Sequence, residues 1–107
     1  MNNKRAGNRA ELYAVKLLKP IYPDAMTSRY GSREQDDKGI DILNTGSIAV
    51  QVKRTKKRPN FAEVFDHMNT SLAKVLFWKD ANIRGKKGEY AILPMEDLLK
   101  LLMDLEG

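Results

Sequence analysis

The sequence predicts a single α/β domain, on three observations. Apolar side chains recur at helical spacing over 8–18, 61–72 and 95–105. Between these lie short apolar runs, Gly39–Leu43, Ala49–Lys53, Lys74–Trp78 and Glu89–Leu93, bounded by turn residues and of strand length. A chain of 107 residues with 42% hydrophobic content has room for one modest core, since separate cores need on the order of 100 residues each.

Each element has a local reason. A basic N-terminal arm, Met1 to Gly7, leads into a first helix over Asn8–Leu18, with Leu12, Ala14, Val15, Leu17 and Leu18 as its apolar positions; Pro20 ends it. Met26–Tyr30 reads as a first strand, and the polar stretch Gly31–Gly39 reads as a loop. Asn44-Thr45-Gly46-Ser47 supplies turn chemistry between the next two strands, so they pair as a hairpin. Arg54–Asn60 is a basic turn, and Asn60 caps a helix carrying Phe61, Val64, Phe65, Met68 and Leu72. Gly85 and Gly88 mark the loop between the last two strands. Pro94 opens the final helix, whose first turn holds Glu96 and Asp97, favourable at the positive end of the helix dipole.

The hairpin is where chemistry converges. Strand side chains alternate between faces, so Gln51 and Lys53 share one face while Val50 and Val52 share the other. Asp41, between Ile40 and Ile42, points away from those apolar neighbours and comes beside Gln51 and Lys53. An acid, an amide and an amine on one patch of sheet suit a hard divalent metal, bound through oxygen, next to a phosphate. Glu11 has Ala14, Val15 and Leu18 at i+3, i+4 and i+7, which puts a carboxylate beside the buried stripe of the first helix. That placement is costly unless the carboxylate is paired or metal-bound. Gly7, one turn earlier, permits close approach of a backbone or phosphate.

Charge points to a polyanion. Lys and Arg total 19 against 14 Asp and Glu, giving +5. The run Lys53-Arg54-Thr55-Lys56-Lys57-Arg58 leaves directly from the hairpin strand, where cations can hold phosphates without reading sequence. Lys4, Arg5, Arg9, Arg29 and Arg33 extend that track, and Tyr30 is the one aromatic retained as a DNA contact. Arg84, Lys86 and Lys87 read as plain surface charges, and His67 as a partly exposed helix residue; Asp36 and Asp37 read either as loop carboxylates or as assistants to the metal site. The absence of cysteine excludes disulfides and thiolate zinc sites, and the single histidine argues against a His-based metal cluster or triad. No apolar run reaches transmembrane length, so we expect a soluble, cytoplasmic protein without membrane attachment.

Taken together, Asp41 and the Gln51-Val52-Lys53 triplet resemble the PD-(D/E)XK nuclease superfamily, whose pattern is an acid on one strand and an acid-x-Lys triplet on the next. With Gly7, Glu11 and Arg29-Tyr30-Gly31-Ser32, the order and spacing are similar to archaeal and phage Holliday-junction resolvases over residues 4 to 105. Gln51 departs from the pattern by standing where Glu or Asp is usual, a variant found in VRR-type nucleases, and Lys38-Gly39 stands where Pro is common. The resemblance implies a restriction-endonuclease-like αβββαβ core with a mixed sheet and an extra C-terminal helix. It implies a Mg²⁺- (or Mn²⁺-) dependent endonuclease with Glu11, Asp41, Gln51 and Lys53 catalytic. Its metal would rest on Asp41, Glu11, Gln51 and the Val52 carbonyl. Ser32 joins Arg29, Tyr30 and Arg33 in a mobile DNA-contacting loop. The implied substrate is branched or four-way junction DNA, held by a homodimer. Leu101 and Leu105, at i,i+4 on the last helix, are the expected interface residues. The alternatives are a VRR-type flap or end-processing nuclease, a restriction-like nuclease, and a catalytically silent nucleic-acid-binding module.

Overall fold

A computed structural model describes the backbone of residues 3–107 and the side chains of residues 8–107. The described residues form an α/β fold. Helix α1 (Asn3–Leu18) precedes strand β1 (Met26–Thr27), and the short helices α2 (Ser28–Gly31) and α3 (Arg33–Asp37) lead to β2 (Ile42–Leu43). Then come β3 (Ile48–Thr55), α4 (Phe61–His67), β4 (Ala73–Asp80), β5 (Glu89–Ile92) and α5 (Met95–Glu106). The sheet is mixed: its five strands lie in chain order, and all neighbours are antiparallel except β3 and β4. A parallel pair requires a crossover connection, and α4 provides it.

The two faces of the sheet carry separate halves of the core. On one face Ala14, Val15 and Leu18 of α1 pack on Ile42 and Val50. On the other, Val64 of α4 and Met68 just past its end pack on Ala49 and Leu76. Burying each of the larger side chains, Val, Leu, Ile or Met, contributes about 1.5–3 kcal/mol, and a central Leu76→Ala exchange would cost about 2–5 kcal/mol. The β2–β3 turn is as expected: Asn44 and Gly46 take the left-handed conformation, with φ of 65° and 60°. Asn60 caps α4, its side chain accepting from the Glu63 N–H at 3.2 Å.

Several element boundaries differ from the sequence reading, among them β2, which is only Ile42–Leu43, and β3, which takes Arg54 and Thr55 from the expected basic turn. Helix α1 starts at Asn3, five residues before the expected Asn8. The expected strand 26–30 ends at Thr27, because the Ser28 N–H donates to the Asp41 carbonyl and the chain then coils, with the Ser32 N–H on the Ser28 carbonyl. The expected loop 31–39 contains α3, whose N-cap Ser32 accepts from the Gln35 N–H at 3.3 Å. Helix α4 stops at His67 and leaves Leu72 outside, exposed. It stops where Gly39 packs against its end. Gly39 has φ +79°, and a Cβ there would lie 2.9 Å from the His67 carbonyl oxygen.

Helix α5 is tied to the start of β4 by buried Asp97, which accepts from the Lys74 N–H at 3.0 Å. Most of its apolar side chains stay in solvent. Leu105 is 78% exposed, whereas Leu101 is half-buried. No helix among the described residues is long and apolar enough to cross a membrane.

Candidate active site

The site forms where β2 leaves β3. Ile42 lies opposite Val50, and both point toward α1. By alternation Asp41 and Gln51, the neighbouring pair, start toward the other face together with Lys53. Asp41 continues the ladder by one bond, its N–H donating to the Val50 carbonyl at 2.8 Å. Its side chain then replaces the next rung: Oδ2 accepts the Val52 N–H at 2.7 Å. The Val52 carbonyl projects from the same edge of the strand as its N–H, so it belongs to this notch. Asp41, Gln51, Lys53 and the Val52 backbone are therefore brought together as expected.

Burial holds the Asp41 carboxyl at about 6, well above the usual carboxylate range. Glu11 and Asp36 push the same way, while the Val52 N–H and the Lys53 ammonium act against them. These influences place Glu11, Asp36 and Lys53 around Asp41. Beside it, the Gln51 side-chain oxygen is buried with no hydrogen-bond partner among the described residues. A buried amide oxygen without a donor is costly, and a hard cation satisfies it as well as a donor does.

Glu11 is buried, but its charge is already matched. Arg29 grips it side-on, Nε donating to Oε1 at 3.0 Å and Nη2 to Oε2 at 2.9 Å. The expected DNA contact Arg29 is thus committed to the expected metal ligand Glu11. Asp36 accepts from the Ser28 hydroxyl at 3.2 Å, and this fully buried serine fixes α3 beside the notch. Tyr30 and Arg33 are exposed, and Ser32 is occupied in capping. Lys4, Arg5 and Gly7 lie outside the residues whose side chains are described.

The basic run does not form one track. Alternation along β3 sends Lys53 to the α4 face and Arg54 to the α1 face, so the cations divide around the end of the sheet. Lys56, Lys57 and Arg58 follow in the turn, all exposed. On the α4 face, Gln51, Lys53 and Thr55 line a cavity of about 470 Å³ together with Glu63 and His67. The sequence alone gives Glu63 no role and His67 none beyond the helix surface. Their i,i+4 spacing puts them on one face of α4, but only the crossover shows which strand that face meets.

The donor set fits a hard divalent cation: a carboxylate (Asp41), an unpartnered amide oxygen (Gln51) and a strand-edge carbonyl (Val52), with Glu11 already paired to Arg29. Among the described residues no three His, Cys, Asp or Glu side chains cluster closely enough to hold an ion by themselves. No family model, curated protein or solved structure matches the chain.

Proposed function

We propose that this chain is a metal-dependent DNA endonuclease of the PD-(D/E)XK type, acting on branched or four-way junction DNA as a symmetric dimer. The observation that carries the reading is the notch itself: the Asp41 carboxylate on the Val52 amide, beside a buried Gln51 oxygen without a partner. Support comes also from element order. From α1 to β4, with α2 and α3 as an insertion, it follows the restriction-endonuclease-like order αβββαβ, to which β5 and α5 are added.

Mg²⁺ or Mn²⁺, when bound, would polarise the phosphate and lower the pKa of a coordinated water. Asp41, Gln51 and the Val52 carbonyl would hold it. The chain's own contribution is positioning and charge. The Asp41–Val52 bond fixes the carboxylate against the β3 edge, and Lys53 presents a cation to the charge that develops on the phosphoryl oxygens. Because Gln51 is neutral, the site carries one negative charge fewer than an Asp/Glu pair would, and it should require more Mg²⁺. Four-way junctions have two scissile strands related by a two-fold axis, which is the reason for a dimer, and the exposed leucines of α5 offer it a surface.

The test is cleavage of four-way junction, flap, duplex and single-stranded DNA, with and without Mg²⁺ or Mn²⁺. Cleavage should depend on the metal and disappear in Asp41→Ala and Lys53→Ala while binding persists. Cleavage surviving in excess chelator, or in Asp41→Ala, would refute the reading. Binding without cleavage under every condition would instead favour the silent module, which the Glu11–Arg29 pairing supports.

A further inference from the structure

Helix α1 lies over β1 and β3, and beyond it the same face of the sheet stays open at Phe77 of β4 and exposed Ala91 of β5, while Val75 of β4 is buried. The result is an open groove of about 1000 Å³, at the upper end of small-molecule sites and large enough for more than one nucleotide. Its floor is apolar, with Val52, Phe77 and Ala91 on adjacent strands. Two aromatic rings face it: Phe77 on the floor, and Tyr13, which projects from α1 and hydrogen-bonds Glu89 of β5 at 3.0 Å. Trp78 and Tyr90 stack on each other toward the opposite face of the sheet. Arg9, Arg54 and Lys56 stand at its edge, and Lys53, shared with the Gln51 cavity, joins the groove to the notch.

We infer that this groove binds single-stranded nucleic acid, taking unstacked bases on its apolar floor and their phosphates on Arg9, Arg54 and Lys56. The inference rests on the nuclease reading for the direction of the strand, which it leads toward Lys53. The chemistry is that of single-strand recognition in general: aromatic faces accept any base, and a cationic rim follows the backbone. A continuous duplex keeps its base faces stacked and cannot place them on this floor. The groove therefore favours substrates with an open strand next to the cleaved bond, such as a branch point. It also gives Arg54 and Lys56 a task that the α4 side of the sheet leaves without a partner.

The experiment measures binding in chelator, so it does not depend on cleavage. Fluorescence anisotropy of end-labelled oligothymidylate reports binding directly. Oligothymidylate should bind with a strongly salt-dependent affinity. Ala91→Glu places a negative charge on the floor at an exposed position, and Tyr13→Ala removes a ring from an exposed helical position that alanine suits. Each should weaken oligothymidylate binding by about tenfold while changing duplex affinity by less than about twofold. Absence of oligothymidylate binding overturns the inference, and so does equal weakening for oligothymidylate and duplex. Should Ala91→Glu dissociate a dimer and leave oligothymidylate affinity intact, the groove belongs to a second copy of the chain and the inference falls. Selective oligothymidylate binding in a protein that cleaves nothing would leave the groove standing and refute the nuclease.

Discussion

Asp41 is held in its less comfortable state at neutral pH, and replacing it by asparagine should stabilise the protein. A carboxyl that binds its proton near 6 in the fold and near 3.8 in the unfolded chain is favourable to folding only while protonated. Stability is complete below about pH 4 and is lost as pH rises through the interval to about 6. At about 1.4 kcal/mol per tenfold in proton affinity, the loss reaches about 3 kcal/mol above pH 6. Asp41→Asn keeps an oxygen for the Val52 N–H and behaves as the protonated acid at every pH. The net gain is about 3 kcal/mol at pH 7.5 and about 1 kcal/mol at pH 4.5. Urea unfolding followed by circular dichroism at the two pH values measures it. Adding Mg²⁺ should raise the wild-type midpoint by mass action and leave Asp41→Asn unmoved. An equal difference between the proteins at both pH values would refute the buried-carboxylate argument. An equal Mg²⁺ shift in both proteins would separate Asp41 from the metal.

Arg29→Ala leaves Glu11 buried without its counter-charge. It should cost about 2 kcal/mol in a chemical denaturation series, below the 3–5 kcal/mol of fully buried pairs because the Arg29 side chain is 33% exposed. An unchanged unfolding midpoint would contradict that accounting. Gly39→Ala combines a left-handed backbone with a contact 2.9 Å from the His67 carbonyl oxygen, and thermal melts should record a loss of about 2–3 kcal/mol. Gln51→Glu adds a second carboxylate beside Asp41. Without metal it should lower stability by about 1–2 kcal/mol, and it should shift the Mg²⁺ titration of cleavage to lower concentration; an unmoved titration would show that residue 51 is no ligand. Leu105→Glu puts a charge on the exposed face of α5 and should turn a sedimenting dimer into monomer, whereas a wild-type protein that is already monomeric removes the dimer from the reading.

Much of this arrangement was legible in the residues. The hairpin turn, the Asn60 cap and the shared face of Gln51 and Lys53 follow from local rules, and each is present. Helix α3 was also legible: Ser32-Arg33-Glu34-Gln35 is a capping-box pattern with acids in the first turn, but the polar composition of 31–39 reads as loop. The division of the basic run between faces follows from strand alternation once β3 is extended to Thr55. The ends of β1 and α4 were not legible, because distant backbone decides them: Asp41 takes the Ser28 N–H, and Lys38 accepts from the Asn69 N–H at 2.9 Å. The Glu11–Arg29 grip and the Tyr13–Glu89 bond join residues with no common periodicity, and only the assembled fold brings them together.

The order of strands across the sheet equals their order along the chain, which bears on how the molecule assembles. Every ladder joins consecutive strands, so no strand waits for a partner made much later, and the longest loop to close is the crossover through α4. Sheets of low contact order fold quickly for their size. The residues of the notch all lie between Glu11 and Lys53, in the first half of the chain, while β4, β5 and α5 supply support and surface. The candidate metal-binding residues are thus gathered in the earlier half, while the later half supplies walls of both cavities and the buried Leu76 of the core.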